Sequence, residues 1–138
     1  TVKKLNWVPD IIHVHGWMAA MLPIYMKHFY KNEALFSDTK IVTSVYSQSF
    51  EGSLDIEMIN KIKFDGVPND AISDLETPDY ENIMKATINH SDAVIIASEN
   101  LSSSLTKFIE SSGKPFLPFA SKDKFAETYS NFYKNFVL

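Results

Sequence analysis

Residues 93–97, AVIIA, are five apolar residues in a row, held between Asp92 and Ser98. A strand that is apolar at every position has no face to offer water, so it demands cover on both sides. That is the situation of a strand inside a parallel sheet with helices packed on it. Two further runs have the same character. Residues 11–14 (IIHV) are introduced by Pro9-Asp10 and stopped by Gly16, and residues 40–46 (KIVTSVY) are dense in β-branched side chains. Residues 115–119 make a fourth and weaker candidate, because Pro115 and Pro118 each remove an N–H donor.

Helical patterns fill the gaps between these runs. Residues 17–31 place Met18, Met21, Leu22, Tyr25 and Phe29 at helical spacing, and Pro23 is expected to strain or kink the first turns. Residues 54–63 read as a weaker helix ended near Gly66, and residues 69–79 as polar and irregular. Thr77-Pro78-Asp79 reads as a cap, a proline at the first helical position and a first-turn acid. The helix it opens carries Tyr80, Ile83, Met84, Thr87 and Ile88 on one face. Ser98 is expected to cap the next helix, with Leu101, Leu105, Phe108 and Ile109 as its stripe and Gly113 as its stop. From Ser121 onward Phe125, Tyr129, Phe132, Tyr133 and Phe136 repeat at helical spacing, a stripe that reads as core packing.

This alternation predicts a Rossmann-like three-layer α/β/α domain with a mostly parallel sheet of about four strands, linked by right-handed crossovers. The strands are expected in sequential spatial order, with residues 11–14 at one edge. An open apolar edge is a pairing hazard, so self-association through it is expected. A chain of 138 residues is sized for one domain, residues 1–138. Its opening, TVKKLNW, carries no helix-start signal and reads as the tail of a helix begun elsewhere, so the chain is expected to be a fragment of a longer protein.

Composition narrows the partners. All thirteen cationic side chains are Lys, and the formal net charge is -4. Neither nucleic acid nor an anionic membrane is therefore an expected partner, and the guanidinium fork that grips phosphate is missing. No cysteine is present, which removes thiolate nucleophiles and Cys-based zinc sites. No apolar run approaches the ~18 residues of a membrane span, and a cytoplasmic location is expected. There is no Gly-rich phosphate loop and no G-x-S-x-G elbow.

In open parallel sheets ligands sit beyond the carboxyl ends of the strands. That places His15-Gly16-Trp17, Tyr46 to Gln48 and Ser98-Glu99 at the working edge. His13 and His15 share a strand face, but H-x-H alone is a weak metal motif and no transition metal is expected. His13 is expected inside the sheet layer with its hydrogen bonds satisfied, and His15 at the cleft. His28 and His90, late in helices, read as favourable C-terminal charges. Ser102-Ser103-Ser104 and the carboxylate pairs Asp55/Glu57 and Glu76/Asp79 read as solvated surface.

Three ordered blocks carry a resemblance. Residues 7–17 (WVPDIIHVHGW), followed by Leu22-Pro23-Ile24-Tyr25, resemble the P-D-x-x-H-x-H-D-W and L-x-P-x-Y pattern of the bacterial glycogen synthase and plant starch synthase family. Residues 44–52 (SVYSQSFEG) align with that family's T-x-H-N-x-x-(aromatic)-Q-G, and residues 84–98 (MKATINHSDAVIIAS) with its L-K-A-G-x-x-x-A-D-x-x-x-x-V-S. Gly16 stands where the family has Asp, and Tyr46-Ser47 where it has His-Asn. The resemblance implies a retaining glycosyltransferase of the GT-B fold, of which this chain is the second half of the amino-terminal domain. It implies transfer of glucose from a nucleotide sugar, with ADP-glucose the expected donor, to an α-1,4-glucan acceptor. It implies no cofactor or metal, and it marks His15, Gly16, Trp17, Tyr46 and Ser47 as substrate-binding, with no catalytic residue assigned. The second reading is a degenerate relative that binds glucan or a partner protein without chemistry. The isolated chain is expected to transfer no glucose.

Overall fold

A computed structural model describes residues 2–30, 32–121 and 123–137. Four strands form one sheet in the order β1 (Ile11–His15), β2 (Lys40–Val45), β3 (Ala93–Ile96), β4 (Phe116–Leu117), and every pairing is parallel. The Rossmann-like α/β architecture and the sequential order are as the sequence predicts. Strand β1 extends to His15, which pairs with Ser44. Strands β2 and β3 each stop one residue short of the expected run, and β4 keeps two residues between its prolines.

Parallel strands in unreversed order, joined by crossovers of one hand, deliver every crossover helix to the same face. Of the helices α2 (Met21–His28), α4 (Tyr80–Asn89) and α5 (Ser103–Ser111), the last two bury Met84, Ile88, Leu105 and Ile109 beside Val45 and Val94, and Ile24 of α2 is buried with Ile83 and Ala86 of α4 in the adjoining cluster. The opposite face, with Val42, Ala93 and Ile95, is covered by α6 (Phe125–Phe132) and the π-turn Tyr133–Val137. Helix α1 (Val2–Leu5) precedes β1, and α3 (Glu57–Phe64) closes a cluster around Ile59, Ile62, Ile72 and Leu75. The start of the sheet is pinned by Asp92, whose carboxylate accepts from the Ile41 amide at 2.8 Å and from Lys27 Nζ at 2.7 Å. Among the described residues no helix is long and apolar enough to cross a membrane.

Several boundaries differ from the sequence reading, each for a local reason. The helix expected over residues 17–31 is a 3-10 turn, Trp17–Ala19, followed by α2, and residue 31 lies outside the described residues. Pro23 therefore falls in the first turn of α2, where a backbone N–H has no intrahelical acceptor, so the proline fits at its usual place near a helix start. Helix α3 starts at Glu57 instead of residue 54, because Leu54 N–H bonds to the Pro78 carbonyl and Ser53 bridges Asp79. The stretch expected to be irregular holds a 3-10 helix, Asn69–Glu76, kinked at Ile72, that buries Ile72 and Leu75. Those two residues are three apart, the 3-10 period, within an otherwise polar run.

The caps also move. Asp79 itself is the N-cap of α4, its Oδ1 accepting from Asn82 N–H at 2.8 Å, while Thr77 contributes only its carbonyl. Helix α5 is capped by Ser102, and Ser98 instead accepts from Ser47 N–H at 3.0 Å. Gly113, at φ +71°, ends α5 as expected. Only part of the aromatic stripe is core: Phe132 is buried, whereas Phe125 and Phe136 are 52% and 64% exposed. A π-turn after Phe132 rotates the later positions off the helical period.

Leu105 is fully buried where α5 meets the sheet. Leu105→Ala is expected to lower stability by about 2–5 kcal/mol through the cavity it leaves. A urea midpoint unchanged from the parent protein would contradict this packing.

Candidate functional site

The site is built where β1 and β2 end. Gly16 N–H donates to the Ser44 carbonyl at 3.0 Å, closing the parallel ladder as the chain turns away. Gly16 adopts φ +67° and ψ −176°, a region essentially restricted to glycine. A Cβ added there would lie 3.7 Å from Tyr46 Cδ2, an ordinary contact. The obstacle to any other residue is therefore backbone conformation and not space.

Three rings converge beside this turn. His15 Nδ1 and the Tyr46 hydroxyl are hydrogen-bonded at 2.9 Å, both at the exposed end of the sheet. One layer deeper, His13 Nε2 bonds Ser44 Oγ at 2.7 Å and its Nδ1 bonds the Tyr133 hydroxyl at 2.7 Å. The His13 and His15 rings lie 4.1 Å apart, centroid to centroid. Burial, then the neighbouring His15, lowers the His13 pKa to about 4, so the ring is neutral at physiological pH. Burial likewise raises the pKa of Tyr129 and Tyr133, which keep their protons beside it. Both nitrogens of His13 are occupied by hydroxyls, and among the described residues no three His, Asp or Glu side chains gather around a common point.

His15, Gly16, Trp17 and Tyr46, with Met18 and Gln48, line an open cleft of about 260 Å³. Trp17 contributes one wall only, because its indole also packs against Phe50 at 4.8 Å and reaches into the core. Ser47 faces away from that cleft. It lines a neighbouring hollow of about 390 Å³ with Phe50, Asp79, Tyr80, Asn100 and Ser102. The segment 46–50 is the partition between the two. It is fixed by the Tyr80 hydroxyl donating to the Tyr46 carbonyl, by Ser98 receiving Ser47 N–H, and by Phe50 set between Trp17 and Tyr80.

The structure thus brings four of the five expected site residues together and assigns the fifth to the adjoining hollow. Sequence reasoning missed Tyr80, Asp79 and Asn100 as neighbours of the site. A signal for two of them was available: a crossover helix runs back antiparallel to its strands, so the start of α4 must lie at their carboxyl ends. Asp79, read as solvated surface, is half-buried and capping. Ser102 and Ser104 are exposed as expected, but both donate to Glu81, at 3.1 and 2.8 Å. His90 is a correction: burial lowers its pKa, so it serves the end of α4 as a neutral ring bonded to the Ala86 carbonyl, not as a charge.

Fold and cleft together define a Rossmann-like α/β domain with an aromatic-walled cleft at the carboxyl edge of its sheet, its polar groups supplied by His15, Tyr46 and Gln48. Residues 1–113 match the family described as starch synthase catalytic domain. Over 102 residues the chain is 30% identical to a glycogen synthase of Clostridium perfringens, covering 72% of this chain and 20% of that protein. A glycogen synthase of Chlorobium limicola is 32% identical over 99 residues, 71% of this chain and 19% of that protein. One from Thermotoga maritima is 33% identical over 95 residues, 67% and 19% respectively. The chain belongs to the starch synthase catalytic-domain family. It spans about a fifth of the length of the curated relatives it matches.

Two outcomes follow from this geometry. Gly16→Asp, which writes the family residue into this turn, is expected to destabilise the fold by about 1–3 kcal/mol through backbone strain. Denaturation at the parent midpoint would show that the turn relaxes freely. His13 has its folded pKa below the unfolded value of 6.5, so the unfolded chain takes up the proton first. Its contribution is fully present above pH 6.5 and is lost as pH falls toward 4, with His90 acting in the same direction. Urea midpoints across that window should fall in the parent and fall less steeply in His13→Gln. Equal slopes would remove His13 from the pH dependence.

Proposed function

We propose that this chain forms part of the amino-terminal domain of a GT-B glycosyltransferase of the glycogen/starch synthase type. The complete protein transfers glucose from ADP-glucose to the end of an α-1,4-glucan. The observation that supports this most is the His15–Tyr46 pair at the mouth of the cleft, within the segment that matches the family. An imidazole and a phenol, each able to donate or accept, suit the alternating hydroxyls of a sugar. The ring faces of Tyr46 and Trp17 suit its C–H faces. No lysine lines the cleft. The diphosphate of the donor is therefore held by another part of the longer polypeptide, and this chain works on the sugar and glucan side.

Gly16 limits what this wall can do chemically. Where the family resemblance places a carboxylate, a glycine offers only its backbone, and its N–H is already committed to Ser44. The role of this chain is binding and positioning, and the gain in rate from positioning requires the second wall of the site. Electrophoresis through a gel containing glycogen tests the reading. The chain should be retarded, and His15→Ala and Tyr46→Ala should each release it. Retardation unaffected by either change would move binding away from the cleft. Incubation of the chain alone with ADP-glucose and glycogen should incorporate no glucose, and incorporation would overturn the division of labour.

A further inference from the structure

Residues 46–49 have two working sides. Tyr46 and Gln48 line the cleft, whereas Ser47 and Ser49 line the adjoining hollow. Alternate residues pointing to opposite sides follow the period of two of an extended chain. Cleft and hollow are therefore separated by the thickness of one backbone. That backbone is held by its own main-chain groups, the Tyr46 carbonyl accepting from Tyr80 and the Ser47 amide donating to Ser98. The serine hydroxyls are left for other use.

The hollow has hydrogen-bonding capacity to spare. Among the described residues, the Ser47 and Ser49 hydroxyls and the Asn100 side-chain amide make no hydrogen bond, and all three residues are exposed. Phe50 and Tyr80, edge to face at 6.2 Å, supply an apolar wall beside them. The Tyr80 hydroxyl is committed to the partition, so this ring offers a face only. Charge then decides the class of ligand. No lysine lines the hollow while Asp79 and Glu81 do, which disfavours a phosphate or a carboxylate. Both carboxylates are already engaged, Asp79 in capping α4 and Glu81 in accepting from Ser102 and Ser104. Hydroxyls and an amide beside an aromatic face suit a neutral polyhydroxy ligand, which donates and accepts in turn.

Size points the same way. Sites for small molecules enclose about 300–1,000 Å³. The cleft, at about 260 Å³, falls just below that range, and the hollow, at about 390 Å³, falls within it. We propose that the hollow is a second carbohydrate subsite, and that a glucan entering the cleft crosses residues 46–49 to place a further sugar unit there. The inference rests on the reading of the cleft as a glucan site. It adds Ser49 and Asn100 as residues that set the length of chain this domain prefers.

Calorimetric titration of the chain with maltotriose and with maltoheptaose, joined to amide chemical-shift mapping, tests the subsite. Maltoheptaose should bind more tightly than maltotriose, with shifts at Ser49, Gly52 and the Asn100 side chain as well as in the cleft. Asn100→Ala should weaken maltoheptaose by about two- to tenfold, the worth of one hydrogen bond, and narrow its advantage over maltotriose. Ser49→Ala should act in the same direction, while His15→Ala should weaken both ligands. Asn100 makes no side-chain bond within the described residues, so its replacement leaves the fold intact. Equal affinity for the two lengths, maltoheptaose binding unchanged in both Asn100→Ala and Ser49→Ala, or shifts in the cleft without shifts in the hollow would overturn the subsite alone. Failure of either sugar to bind would overturn the glucan reading of the cleft and the subsite with it.

Discussion

The unreversed order of four parallel strands is the constraint from which the rest of this structure follows. With crossovers of one hand it sends α2, α4 and α5 to one face of the sheet. The other face must then be covered from the end of the chain, and α6 does so. Over β3 that cover is apolar, through Phe132 and Val137 against Ala93 and Ile95. Toward the carboxyl ends of β1 and β2 it is polar, because His13 and Ser44 occupy the sheet positions that Tyr133 and its neighbours must meet. The hydroxyl of Tyr133 satisfies His13, and that bond fixes the ring on which His15 rests. The polar end of the sheet and the cleft are therefore one continuous device.

Position along the strands divides the labour. At their carboxyl ends the chain turns at Gly16, the partition 46–50 is clamped by Tyr80 and Ser98, and the cleft opens. At their amino ends Asp92 and Lys114 tie strand starts to helix ends, and His28 meets His90. Family membership agrees with this arrangement, since the match covers the sheet from β1 through α5 and ends at Gly113, before β4 and α6.

The parts of the fold legible in the sequence were those set by hydrophobic period. AVIIA could only be an interior strand, and the helices with several stripe residues were visible. Boundaries were lost where a polar side chain had two available partners. Ser98 looks like a cap because a helical stripe begins at Leu101, but its hydroxyl takes the Ser47 amide across the sheet edge, and Ser102 caps instead. Asp79 and Thr77 competed for one cap, and only backbone geometry decides between them. In the site, His15, Gly16 and Tyr46 were legible because strand ends are. The contribution of α4 was not read, although the return direction of a crossover helix requires it. Gly16 was legible as a departure from the family, but its glycine-only backbone, which fixes why an aspartate does not simply fit, was not.

Under the proposed function this domain meets sugar at the carboxyl edge of β1 and β2. Amide chemical-shift mapping of the nitrogen-15-labelled chain during titration with maltoheptaose tests it most directly. Saturable shifts centred on Gly16, Trp17, Tyr46 and Ser47, with the His15 ring moving in step, are the predicted result. Shifts confined to α6 or to the His28–His90 end, with the residues of the cleft unmoved, would contradict it.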